Sequence, residues 1–346
     1  MARIIQWATG SMGRTALRRV LDAPGHELVG VYVYSDRKAG SDAGSLARRP
    51  DTGVLATASV DEICALDADV VLHTPRITLP YSNLVDDVVR LLESGKNVVS
   101  TAGFHWPAAH GADYAARLHD AGVKGNATLA GAGVNPGMIV ERIALAATGM
   151  CHELDSVSIF ETVDASRMES ADFVFGLMGF NTDPEKRDIR SGPLAELYGT
   201  LFSEVLYFAA NELGTQIAEI VPEHALTLAP DDMTVKAGPI ARGHVAATEW
   251  RWRAKTVAGP EIILSILWTA DPKMHGDRQS GHWLIAISGR PSISMTLDIN
   301  ESDPAKPPSR ALTDAVIAVA MRTIPDVIAA PPGLFAYHPP GAWRPE

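Results

Sequence analysis

The sequence predicts an α/β domain built on a doubly wound parallel sheet, followed by an α+β domain whose sheet is mostly antiparallel. Three observations predict it. From Arg3 to about Val134, short β-branched runs alternate with segments of helical period. After about Thr148, strand-like runs succeed one another around one long helix. The 346 residues, 46% of them hydrophobic, are more than one core comfortably holds. The expected division is residues 1–135, residues 136–309, and a C-terminal helix and tail at 310–346 that returns to the first domain.

Each element follows from its own pattern. Strands of the first domain are expected at Arg3–Ala8, Glu27–Tyr34, Val54–Ala58, Asp69–Thr74, Asn97–Thr101 and Lys124–Ala130. Helices are expected at Arg14–Asp22, Val60–Leu66, Tyr81–Ser94 and Ala112–Ala121, with Gly25, Gly95 and Gly122 among the turn signals that follow them. A helix at Pro136–Thr148 leads into the second domain, whose strands are expected at Ser156–Val163, Gly243–Thr256, Pro260–Trp268, Trp283–Ser288 and Ser292–Leu297. Its long helix, Pro193–Glu212, carries Leu194, Leu197, Leu201, Val205 and Phe208 on one face, a stripe for core or subunit packing. Asp303–Ser309 reads as a linker and Arg310–Arg322 as a helix. The prolines of Ala330–Glu346 exclude a helix or a central strand there.

Composition narrows the function. A formal net charge of -11 argues against nucleic acid or an anionic membrane as partner, so a small-molecule partner is expected. The two cysteines, Cys64 and Cys151, lie far apart and read as small apolar side chains. The longest apolar runs fall short of the roughly 20 residues that span a bilayer. The first strand starts too early to leave room for a secretory signal, and the expected location is the cytoplasm.

The chemistry begins at Ala8-Thr9-Gly10-Ser11-Met12-Gly13, between the first strand and the first helix. A diphosphate is held where backbone N–H groups converge on a helix N-terminus and no side chain blocks the approach. This A-x-G-x-x-G turn, in its βαβ context, reads as a dinucleotide site on a Rossmann fold. At the end of the second strand, Ser35, Arg37 and Lys38 suit the 2′-phosphate of NADP, while Asp36 in the same turn suits the ribose of NAD. The C-terminal ends of later strands supply further candidates for cofactor contact: His73 and Thr74 after the fourth, Thr101 and Ala102 after the fifth, and Asn135 after the sixth. Asn135 is expected to cap the next helix with Pro136 at its first position, and its amide suits the nicotinamide carboxamide.

Together with Gly133-Val134-Asn135-Pro136-Gly137, the Ser35–Lys38 turn followed by Asp42-Ala43-Gly44, Val163-Asp164-Ala165-Ser166 and Ala330-Pro331-Pro332-Gly333-Leu334, this start resembles the 2,4-diaminopentanoate dehydrogenase and native amine dehydrogenase group, with a dihydrodipicolinate reductase-like N-terminal domain. The resemblance implies a homodimer, NAD(P)H, and reductive amination of a small ketone or aldehyde or its reverse. It also implies a catalytic glutamate just after the fifth strand. Here Ala102-Gly103-Phe104-His105-Trp106 holds no carboxylate.

Hydride addition to a carbonyl needs an acid, and imine formation needs a group that cycles protons. His105, at a strand end and titrating near neutrality, is the first candidate. Glu161 is the second, because strand alternation sets it on the apolar face with Val157, Ile159 and Val163, where a carboxylate needs a site or a partner. Asp164 with Ser166 suits a turn. His275 and His282 flank a polar loop with no zinc spacing, so no metal is expected. Phe173, Phe175, Met178 and Phe180 suit either an apolar pocket or the core. Two alternatives to amination stay open: carbonyl reduction with His105 as acid, and an NADP-binding sensor without turnover.

Overall fold

The computed structural model describes residues 1–78, 81–257, 259–276, 278, 282–306 and 309–345. The chain divides into two compact units, Met1–Met138 with Thr313–Tyr337, and Ile139–Leu312 with His338–Glu346.

The first unit alternates strands and helices: β1 (Ala2–Trp7), α1 (Ser11–Asp22), β2 (His26–Tyr32), α2 (Ala43–Ala47), β3 (Ala56–Thr57), α3 (Val60–Ala65), β4 (Val70–His73), α4 (Val85–Glu93), β5 (Asn97–Ser100), α5 (Ala112–Gly125) and β6 (Thr128–Gly131). The second unit holds a short α6 (Leu145–Thr148), β7 (Glu153–Asp164), α7 (Pro193–Glu212), β8 (Ile217–Pro222), β9 (Ala225–Leu228), a hairpin of β10 (Met233–Val235) and β11 (Gly238–Ile240), β12 (Val245–Thr256), β13 (Glu261–Thr269), β14 (Trp283–Arg290) and β15 (Ile293–Leu297). The chain then supplies α8 (Ser309–Ala329) and β16 (Gly333–Phe335).

The first sheet runs β16-β6-β5-β4-β1-β2-β3, with every neighbouring pair parallel. β-Branched and aliphatic residues point to both faces, as a sheet covered on both sides requires. Ile5, Trp7 and Val71 meet Val88, Leu91 and Leu92 of α4 and Leu118 of α5. Ile4, Val70 and Leu72 meet Ala16 and Val20 of α1 and Ile317, Ala320 and Ile324 of α8.

The second sheet, β15-β14-β7-β13-β12-β8 with β9 also on β12, is antiparallel except for β7 against β13. The hydrophobic stripe of α7 is buried as core. Tyr198 packs on Trp250 and Trp268 at 5.0 and 5.2 Å between ring centroids, and Phe202 on Trp252 at 5.2 Å.

Four expectations are corrected, and two strands of the second sheet were not foreseen. Lys124 lies in α5, which runs past Gly122 to a left-handed Asn126; Gly122 serves packing instead, since a Cβ there would sit 2.9 Å from Gly333 Cα of β16. Pro136–Thr148 is no single helix: residues 134–138 form a turn, Ile139–Ala144 a π-helical stretch, and only Leu145–Thr148 is α-helical. α8 continues through Pro325 to Ala329. Strands β8 and β9 were missed because both are half-exposed and lack clean alternation. The last residues, 338–346, group with the second unit, where Trp343 donates from its amide to Thr148 Oγ1 and from Nε1 to the His152 carbonyl, both at 3.0 Å. Among the described residues no helix is long and apolar enough to cross a membrane.

Candidate functional site

The order of the first sheet reverses between β1 and β4, and in doubly wound sheets ligands bind outside the strand ends at such a point. The glycine turn lies there. Ala8 adopts a left-handed φ of 73° and its amide donates to the Tyr32 carbonyl at 3.0 Å. Gly13 seals the turn: a Cβ on it would lie 2.1 Å from Ala8 O and 2.8 Å from Thr74 Oγ1. The buried Gln6 side chain donates to Ala8 O at 2.9 Å and to Thr74 Oγ1 at 2.8 Å, and Thr74 Oγ1 donates to Trp7 O at 2.9 Å. Thr74 thus braces the turn from beneath.

Gly10 differs. Its φ of -70° suits any residue, and a Cβ on it would meet nothing within 4 Å. Gly10 is also the N-cap of α1, with no side-chain cap and no acidic residue in the first turn. The first amides of that helix therefore keep their positive end open to an anion. Ser11 is exposed beside it, and Met12 packs half-buried against the core.

The turn after β2 is tied to the glycine turn by Lys38, whose Nζ donates to both Thr9 O and Thr9 Oγ1 at 3.1 Å. Ser35 O accepts from the Lys38 amide at 2.8 Å, and Asp36 and Arg37 are exposed. Asp42 anchors the following loop by accepting from the amides of Gly44, Thr52 and Gly53 at 2.7 to 3.0 Å, and these bonds hold its carboxyl below the usual range against the opposing effect of burial. Tyr34 Oη accepts from Trp7 Nε1 at 2.9 Å, and burial of its hydroxyl pushes the pKa up to about 12.

At the ends of β4, β5 and β6 the predicted residues part company. His73 is fully buried, its Nδ1 2.9 Å from Ser100 Oγ, and desolvation lowers its pKa to about 3. Burial disfavours the charged form of its ring, which joins two strand ends. Ala102 is likewise buried, with its amide on Ser100 Oγ at 3.1 Å, while Thr101 stays half-buried with its amide on His73 O at 2.9 Å. His105 is 8% exposed and crosses the end of β6, where a Cβ on Gly131 would come within 2.7 Å of its ring and one on Gly133 within 4.0 Å. Asn135 does not cap a helix: it lies in the turn closed by the Met138 amide on Val134 O at 3.0 Å, because the chain needs that turn before the π-helical stretch begins.

Glu161 belongs to the second unit. Half-buried on the apolar face of β7, it accepts from Trp283 Nε1 of the adjacent β14 at 3.0 Å. Asp164 accepts from the Ser166 amide at 2.8 Å, as a turn residue does. Met178 and Phe180 are core, Phe175 is half-buried, and Phe173 is 41% exposed. His275 Nε2 lies 2.8 Å from Thr269 Oγ1 and His282 Nδ1 accepts from the Ile299 amide at 3.3 Å; between them, residues 277 and 279–281 lie outside the described residues. Cys151 is buried and Cys64 half-buried. A hollow of about 500 Å³ on the second sheet is lined by serines of β7, β14 and the turn into β15 together with Phe160, Ile287 and Ile293.

Three contributors escaped the reading of the sequence: Gln6, Ser100 and Tyr34. Gln6 had a signal, a polar residue inside the apolar run Ile4-Ile5-Gln6-Trp7.

Residues 3–110 match the family described as dihydrodipicolinate reductase, N-terminus. Along nearly its whole length the chain is homologous to an amine dehydrogenase of Streptomyces virginiae, 23% identical over 97% of this chain and 95% of that one. It is also homologous to the 2,4-diaminopentanoate dehydrogenase of Acetoanaerobium sticklandii, 25% identical over 96% and 91%. The solved amine dehydrogenase of Mycobacterium smegmatis shares the fold, with a TM-score of 0.76 at 20% identity over 96% of this chain and 94% of that one.

Proposed function

We propose that the chain is an NAD(P)-dependent oxidoreductase acting on a small C=N or C=O group, with interconversion of an amine and its ketone or aldehyde as the specific reaction. One observation carries the cofactor part: the open, uncapped N-terminus of α1 stands at the switch point behind a glycine that neither backbone nor packing requires. The amides around Gly10 and Ser11 suit the diphosphate, and Ser35, Arg37 and Lys38 suit a 2′-phosphate, which favours NADP over NAD. When bound, the nicotinamide supplies or accepts the hydride.

The protein's own task is the proton. His105, enclosed over the glycines of the β6 end, is the group we assign to hold and deliver it. Since residues 102–106 just after β5 hold no carboxylate, carbonyl reduction without amination is the second reading, and it uses the same histidine. A homodimer completes the proposal and is checked by sedimentation equilibrium.

A panel of small ketones and aldehydes with NADPH or NADH, each with and without ammonium, tests the reading. Nucleotide oxidation that requires ammonium supports amination, and oxidation without it supports carbonyl reduction. Nucleotide binding with no turnover of any carbonyl leaves a sensor. Faster turnover with NADH than with NADPH overturns the NADP preference.

A further inference from the structure

We propose that Tyr34 is the platform on which the adenine ring of the dinucleotide stacks. The inference rests on the cofactor reading above and adds to it the residue that recognises the base.

Tyrosine at a protein surface ordinarily lays its ring against the protein and keeps its hydroxyl in water. Tyr34 is turned the other way. Its oxygen is drawn inward to Trp7 Nε1 at 2.9 Å, and the residue remains 55% exposed. Its ring stands nearly perpendicular to both aromatic neighbours, Trp7 at 6.4 Å and 80° and Tyr32 at 5.1 Å and 85°, so neither is stacked on it. Those two neighbours stack on each other at 3.8 Å and 20°, and both are buried in the core. Two perpendicular ring contacts and a tethered hydroxyl fix the ring, so an incoming flat base has little side-chain freedom left to quench.

Position supplies the ligand. Tyr34 immediately precedes the Ser35–Lys38 turn, and the end of the second strand is where a doubly wound sheet places the adenosine ribose. A base attached to that ribose lies within reach of the residue next to it. Ring stacking is indifferent to the ribose phosphate, so the same platform serves NAD and NADP.

The test is calorimetry on the whole chain with 2′,5′-ADP and ADP as probes, comparing wild type with Tyr34→Leu and Tyr34→Phe. Tyr34→Leu is expected to weaken both probes at least about fivefold, the lower end of what one base–aromatic stack contributes. Tyr34→Phe keeps the ring and is expected to stay within about twofold. If Leu binds like wild type, or if Phe loses as much as Leu, the stacking role is overturned while the cofactor reading stands. If wild type takes up neither probe, it is the cofactor reading that falls. Should the Leu variant unfold, the unmodified protein decides: NOE contacts between adenine protons and the Tyr34 ring support the platform, and their absence with 2′,5′-ADP bound overturns it.

Discussion

The glycine turn after β1 and the loops after β5 and β6 lie at the same rim of one sheet, yet they are built on different principles. In the turn neighbours close at hand in the fold hold the backbone: Gln6 and Thr74 brace Ala8, Lys38 holds Thr9, and Gly13 closes on Ala8 O. In the loops, His105 lies over the end of β6 at Gly131 and Gly133, and a turn at 134–138 follows. The first region is fixed by local geometry and is suited to holding something. The second encloses a histidine, the residue proposed above to carry the proton.

The largest way to break this contrast is at His105. Replacing it with Ala is expected to lower kcat by about 10²–10⁴ while nucleotide affinity stays unchanged, measured by steady-state kinetics and calorimetry together. A fully active variant removes chemistry from the loops and leaves two binding regions. Next comes Gly13→Ala, whose Cβ would strike backbone atoms of Ala8. A loss of about 3 kcal/mol in urea unfolding is expected, and an unaltered midpoint would show the turn to be softer than its geometry.

His73 tests the seam between the two regions. Folded, it takes up no proton until about pH 3, whereas unfolded it does so near 6.5. Between those values the unfolded chain binds the proton and the folded chain does not, so acid costs about 1.4 kcal/mol per pH unit below 6.5 and nothing above it. Wild type is thus expected to lose about 2 kcal/mol between pH 7 and pH 5 through this residue, a loss that His73→Asn should remove. Equal pH dependence in both proteins would place the titration elsewhere. The smallest effect on stability belongs to Gly10→Ala. Its backbone suits alanine, so stability should hold or rise by about 0.4–1 kcal/mol, while nucleotide binding weakens. Unchanged binding would show that nothing approaches Gly10.

The same contrast explains what could be read from the sequence. The parallel sheet and its glycine turn were legible because periodicity and a short motif report local geometry. Pro193–Glu212 matched its helix to the residue because Gly192 and Gly214 bracket an uninterrupted apolar stripe. Asn135 misled because cap signals describe sequence order, and here a turn intervenes before the helix. The burial of His73 and its contact with Ser100 were not legible, because both depend on the pairing of β4 with β5. Tyr34 was invisible because the inversion of its ring depends on Trp7, 27 residues away in sequence. Glu161 was placed on its apolar face from alternation alone, but its partner Trp283 required strand pairing.

The edge strand β16 and the covering helix α8 come from the far end of the chain. On the ribosome, β6 must therefore wait, without its outer neighbour, while residues 139–312 of the second unit are synthesised, on the order of tens of seconds. During that interval a row of backbone donors and acceptors stands ready for any passing strand. Vectorial synthesis thus leaves the outer edge of β6 to be covered only when residues 333–335 emerge.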